Sequence, residues 1–194
     1  MPTVIPFLLL VYLILRIYRF ARKSAIMTME EFIKVLEESG YLYKEQGGKL
    51  AIFSTDGFWL NHLQSIPPDV VFLNQGDVAL NSLETLPPGV EFRNDGYVGL
   101  KALKSLSSDV VFRNGGRIFL HSIKTLPSGV QFMNRGHVDL ELLQILPPGV
   151  EFKNGGDVNL SSLVGTWFEH WKDNIGGANS QRLLNVMIKQ GVFI

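Results

Sequence analysis

Between Leu50 and Leu163 the apolar positions follow one template that recurs every 20 residues. One column reads Leu50, Val70, Val90, Val110, Val130, Val150, and two residues on stands Ile52, Phe72, Phe92, Phe112, Phe132, Phe152. Two further on come Ser54 and then Asn74, Asn94, Asn114, Asn134 and Asn154. The next column is Asp56 followed by Gly76, Gly96, Gly116, Gly136 and Gly156. Phe58, Val78, Val98, Ile118, Val138 and Val158 follow, then leucine at each twentieth position from Leu60 to Leu160, then Leu63, Leu83, Leu103, Ile123, Leu143 and Leu163. Six copies hold phase without an insertion. A fixed period of this length marks a solenoid, in which each coil buries its apolar edge against the next.

Within one unit Val90, Phe92, Asn94, Gly96, Val98 and Leu100 share a parity. Alternation by two predicts two short strands, V-x-F and V-x-L, with one face inward. N-x-G is the bend between them, and Asn and Gly tolerate the left-handed backbone angles such a bend is expected to need. Leu100, Leu103 and Leu106 are then spaced by three, which predicts a 3₁₀-like or extended turn ended by proline, as at Pro87-Pro88, Pro127 and Pro147-Pro148. The asparagine column has inward parity. A buried amide left without partners costs about 1–3 kcal/mol, so Asn74, Asn94, Asn114, Asn134 and Asn154 are expected to form a structural ladder. Its bonds should run to the bend backbone and from one side chain to the next.

The pattern "LxxLPxGVxFxNxGxVxL" resembles the short leucine-rich repeats of bacterial effector and phage-type proteins, with coils of about twenty residues and an L-P-x-G-L/V turn. The resemblance covers Leu50 to Leu163 and implies a protein-binding scaffold with a parallel sheet. Leu83, Leu103, Ile123 and Leu143 occupy the place where that family carries Asn. The expected fold is therefore a mainly β repeat solenoid, leucine-rich-repeat-like, with parallel sheet built from 20-residue coils and helical N- and C-terminal caps. A more compact parallel β-helix is the alternative.

The chain divides into residues 1–26, 27–49, 50–164 and 165–194. The first is hydrophobic, with apolar residues from Val4 to Leu15 and then Arg16, Arg19, Arg22 and Lys23. Charges behind the apolar run do not suit a secretory signal. Residues 4–20 suit a short membrane anchor, which by the positive-inside rule would leave the solenoid in the cytoplasm. Two other readings stay open, an over-extended start upstream of Met27 and a helix packed on protein. "MTMEEFIKVLEESG" predicts a capping helix over Met29–Ser39, with Thr28 and Glu31 at capping-box spacing and Gly40 as its C′ residue. "YLYKEQGGKLAIF" predicts a hairpin turning at Gly47-Gly48. At the far end, Trp167, Phe168 and Trp171 are expected to cover the last coil, and "SQRLLNVMIKQG" to form a helix from Ser180.

Composition narrows function more than it defines it. The chain has 194 residues, 18 basic and 18 acidic, so it lacks the basic excess of a general nucleic-acid binder. It has no cysteine, hence no disulfide, thiolate nucleophile or Cys-ligated metal. No phosphate-binding loop is present, and no cofactor or metal is expected. Function in a solenoid sits on outward columns, and those flanking V-x-L place Tyr97, Arg117 and His137 in one row and Lys101, His121 and Glu141 in another, with Phe119 and Asp139 between. Coils about 4.8 Å apart bring these into contact. An exposed aromatic beside Arg and Tyr has the composition of a protein-binding hot spot. The histidines and acids would suit zinc or a general base by type, but a flat sheet offers no pocket to fix their geometry. The expected function is a non-catalytic protein-interaction scaffold. A structural component of an assembly such as a virion, and an enzyme acting on a polymer laid along the sheet, are the alternatives. Acidic residues scattered over several columns weigh against the last.

Overall fold

The computed structural model describes residues 26–163. A cap opens it: α1 (Met29–Glu38), then β1 (Leu42–Gln46) and β2 (Lys49–Phe53). The coils supply β3 (Phe58–Trp59), β4 (Val70–Phe72), β5 (Val78–Ala79), β6 (Thr85–Leu86), β7 (Glu91–Phe92), β8 (Val98–Gly99), β9 (Ser105–Leu106), β10 (Val111–Phe112) and β11 (Ile118–Phe119). They end with β12 (Gln131–Phe132), β13 (Val138–Asp139), β14 (Glu151–Phe152) and β15 (Val158–Asn159).

The capping helix begins as its sequence dictates. Thr28 Oγ1 accepts the Glu31 N–H at 3.2 Å, and Glu31 Oε2 accepts the Thr28 N–H at 3.0 Å, which satisfies two donors the helix would otherwise leave orphaned. It stops where Gly40 turns left-handed at φ +73°. The Tyr41 N–H returns to the Leu36 carbonyl at 2.9 Å and the Gly40 N–H to Glu37 at 3.1 Å, a Schellman closure. Phe32 and Leu36 are buried against the first coil. The hairpin turns at Gly47 and Gly48, both with positive φ, and pairs β1 antiparallel to β2 with Gln46 opposite Lys49.

Beyond the cap every pairing is parallel and joins residues 20 apart. The first sheet runs β1-β2-β4-β7-β10-β12-β14 and the second β15-β13-β11-β8-β5-β3. A short third ladder joins β6 to β9, continued by a bridge from Thr125 to Ile145. The fold is thus a mainly β solenoid of parallel sheets in about six turns, and three sides to a coil fit the parallel β-helix alternative. The leucine spacing of three yields both expected features. The Leu103 N–H closes on the Leu100 carbonyl at 3.1 Å, as Leu83 does on Leu80 at 3.0 Å, and the chain then extends into the third ladder.

The inward columns fill the core. Phe72, Phe92, Phe112 and Phe132 are fully buried, and with Phe152 they stack at centroid distances of 5.1, 5.3, 5.2 and 5.1 Å. Ring spacing follows the coil rise, so each phenylalanine packs on its own copies. The asparagines are buried beside them. Asn94 Nδ2 donates to the Gly96 carbonyl of its own coil at 3.1 Å and to the Gly76 carbonyl of the preceding coil at 3.0 Å, and Asn114 and Asn134 repeat this. The ladder exists, but its rungs run from side chain to bend carbonyl, where direct amide-to-amide bonds were also expected.

The bend glycines correct a second expectation. Left-handed φ occurs at Gly89, Gly129 and Gly149 in the opposite corner, and none of Gly76, Gly96, Gly116, Gly136 and Gly156 adopts it. What the bend needs is proximity. A Cβ on Gly116 would stand 2.7 Å from the Gly96 carbonyl carbon and from the Tyr97 nitrogen, so only a residue without a side chain lets successive bends stack. The 1–23 segment and the C-terminal cap around Trp167, Phe168, Trp171 and Ser180 lie outside the described residues. Among the described residues no helix is long and apolar enough to cross a membrane.

Candidate functional site

Outward positions of the second sheet come from the residue after each inward valine and from the columns two residues to either side. Parallel register sets Phe119 next to Gly99 and Asp139 in one file. The expected neighbours do meet, in an arrangement of their own. Phe119 is the hub: Tyr97 meets it edge-on at 5.7 Å, His121 does so at 5.6 Å, and the Arg117 guanidinium lies 5.1 Å from its ring centre. Arg117 Nη2 also reaches Asp139 Oδ1 at 2.8 Å and Oδ2 at 2.6 Å. His121 Nε2 is 3.6 Å from the same carboxylate and Asn159 Nδ2 is 3.4 Å.

Asp139 corrects the picture of a freely exposed column. It points outward yet is 4 % exposed, with Arg117 and His121 of the coil before and Asn159 of the coil after closing over it. Burial pushes its carboxyl up, but the Arg117 bond and charge, aided by Asn159 and His121, outweigh this and hold it below the usual carboxylate range. The same bond holds Arg117 above its ordinary value. Arg117 is therefore fixed by a buried anion while its side chain stays 46 % exposed.

His137 stands apart. Its Nδ1 accepts the Asp157 N–H at 2.9 Å and lies 3.7 Å from the Asp157 carboxylate. Lys101 and Glu141 are not drawn into the cluster: Lys101 donates its backbone N–H to Asn81 Oδ1 at 3.4 Å, and the Glu141 carbonyl accepts from Ser162. Arg117, His137, Asp139, Asp157, Val158 and Asn159 line an open hollow of about 330 Å³. Among the described residues no three His, Asp or Glu side chains are grouped to hold a metal ion.

A second charged centre went unseen in the sequence. On the outer face of the first sheet Glu91 is 9 % exposed. Lys49 Nζ reaches its Oε1 and Arg93 Nη2 its Oε2, each at 2.6 Å. Burial raises its carboxyl, and the bonds and charges of Lys49 and Arg93 more than reverse this, leaving it below its ordinary value. Lys49 also donates to the Gly89 carbonyl at 3.1 Å. The signal available was a column reading Ala51, Val71, Glu91, Val111, Gln131 and Glu151, in which the first acid stands between two valines. The first sheet's outward columns repeat with the same period as the second's but carry no aromatic cluster to draw attention.

Comparison with protein-family models, with curated proteins and with solved structures yields no match.

Proposed function

We propose that this chain is a non-catalytic protein-interaction scaffold whose partner binds the outer face of the second sheet around Tyr97, Arg117, Phe119 and His121. One observation carries the reading: Arg117 is held by Asp139 and lies against Phe119, which itself contacts Tyr97 and His121. Arginine and tyrosine dominate binding hot spots when their rotamers are set in advance. The likeness of the repeat to short leucine-rich repeats of the bacterial effector and phage type supports a binding role over a catalytic one. Lys101, His137 and Glu141 form the polar rim. Residues 4–20 are proposed as a membrane tether that leaves the solenoid cytoplasmic.

The test is affinity capture with the full chain and with Tyr97, Arg117 and Phe119 replaced together by alanine. The proposal expects a partner retained by the parent and lost by the folded variant, and undiminished capture by that variant would refute it. Membrane fractionation of the full chain beside a chain starting at Met27 tests the tether. Only the longer chain should sediment with membranes.

A further inference from the structure

The N-terminal half of the same sheet face differs in chemistry from the Arg117 cluster. Trp59 is 52 % exposed, and its indole occupies the space where a side chain at position 57 would stand, which Gly57 leaves open. Every later coil carries a side chain at that column, from Asp77 to Asp157. Two coils on, Tyr97 supplies a second ring, its Cε2 within ordinary contact of Gly99, over which Asn81 Oδ1 reaches most closely. Two aromatic rings thus stand on one face, the first seated over a glycine, about 10 Å apart along the axis by the sheet spacing.

The groups around them are polar and mostly uncharged. Asn61 Oδ1 accepts the Asn81 backbone N–H at 3.1 Å and Asn81 Nδ2 at 2.9 Å, so the Asn61 amide hydrogens remain for a ligand. Asp77 Oδ1 accepts the Tyr97 N–H at 2.9 Å, leaving its second oxygen as an acceptor. Trp59 is fixed from behind, where Tyr41 Oη accepts its backbone N–H at 3.0 Å.

We propose that Trp59, Asn61, Asp77, Asn81 and Tyr97 form a binding site for an uncharged linear glycan. Sugar rings present C–H faces that stack on aromatic rings, and their hydroxyls both donate and accept. Amide donors and one carboxylate acceptor beside two rings match that pairing of needs. Single-stranded nucleic acid would also stack, but it calls for a basic groove, and Asp77 lies at the centre of this one. The site is separate from the protein-partner cluster apart from Tyr97, which borders both.

The test titrates the full chain calorimetrically with soluble neutral oligosaccharides of glucose and of N-acetylglucosamine. Saturable binding to at least one series is expected. Trp59→Ala should weaken it roughly tenfold or more, equivalent to one lost stacking contact. Trp59→Phe, which keeps a ring, should retain most of it, and Asp77→Asn, which keeps the Tyr97 bond, should weaken it. Arg117→Ala should leave sugar binding unchanged while impairing protein capture, so the two readings fail separately. No binding to either series, or unchanged binding by a folded Trp59→Ala chain, overturns the proposal. So does tighter, salt-sensitive binding of oligo-dT that Trp59→Ala abolishes.

Discussion

The two long sheets share one set of coils, and each covers an acid on its outer face, but they do so differently. On the first sheet Glu91 is enclosed by two cations, Arg93 just past its own strand and Lys49 reaching across β4 from the hairpin. Ala51 and Val71 beside it are buried as well, so this face satisfies its own groups. On the second sheet Asp139 takes one arginine from the coil before and one amide from the coil after. Tyr97, Phe119 and His121 stay half-buried around it. A carboxylate neutralised twice closes a surface. A carboxylate that fixes one arginine beside aromatic edges prepares a surface for something else.

That contrast can be broken most severely through the frame both faces share. Gly116→Ala places a Cβ within 2.7 Å of neighbouring backbone, and overpacking against atoms that cannot yield should cost about 3 kcal/mol. Gly129→Ala is the matched control. Its φ is +82° with no atom within 4 Å of the added carbon, so only left-handed strain of about 1 kcal/mol applies. Urea denaturation of both chains should rank them in that order. Equal losses would mean that bend stacking is not what the glycine column serves.

The two acids come next. Glu91→Gln removes two ion pairs and should cost about 2 kcal/mol, whereas Asp139→Asn removes one with an exposed arginine and should cost about 1 kcal/mol. Acid titration of stability probes the same centres together. Both carboxyls are lowered in the folded chain, so their contribution is complete above the ordinary carboxylate range and is lost as pH falls through their lowered native values. A Glu91→Gln, Asp139→Asn chain should show a shallower loss of stability on acidification, measured by denaturant midpoints across that range.

The smallest effect on stability belongs to the aromatic cluster. Tyr97→Ala alone should cost under about 1 kcal/mol, since that ring is only half-buried and takes no part in the Arg117–Asp139 ion pair.

How far the sequence disclosed this architecture depended on whether a residue's role is local. Inward valines, phenylalanines and leucines declared themselves by parity and period, and Thr28, Glu31, Gly40 and Gly47-Gly48 by turn chemistry. The third ladder was obscured because Leu80, Leu83 and Leu86 are spaced by three, which breaks the alternation that marks the other two. The bend glycines were recognised but explained wrongly, because the atoms that exclude a Cβ belong to the adjacent coil. Burial of Asp139 and Glu91 was hidden for a related reason: both point outward and are covered by side chains 2 to 42 residues away in sequence. The cluster's membership followed from stacking columns, whereas its centre on Phe119 emerged only from rotamers.

On the proposed reading one outer face carries the partner and the other does not. The direct measurement is the affinity of the captured protein for two folded variants, one with Tyr97, Arg117 and Phe119 changed to alanine and one with Arg113, Met133 and Lys153 changed to alanine on the first sheet. The prediction is loss of binding in the former and parent-like affinity in the latter. Parent-like binding by the former, or loss confined to the latter, would contradict it.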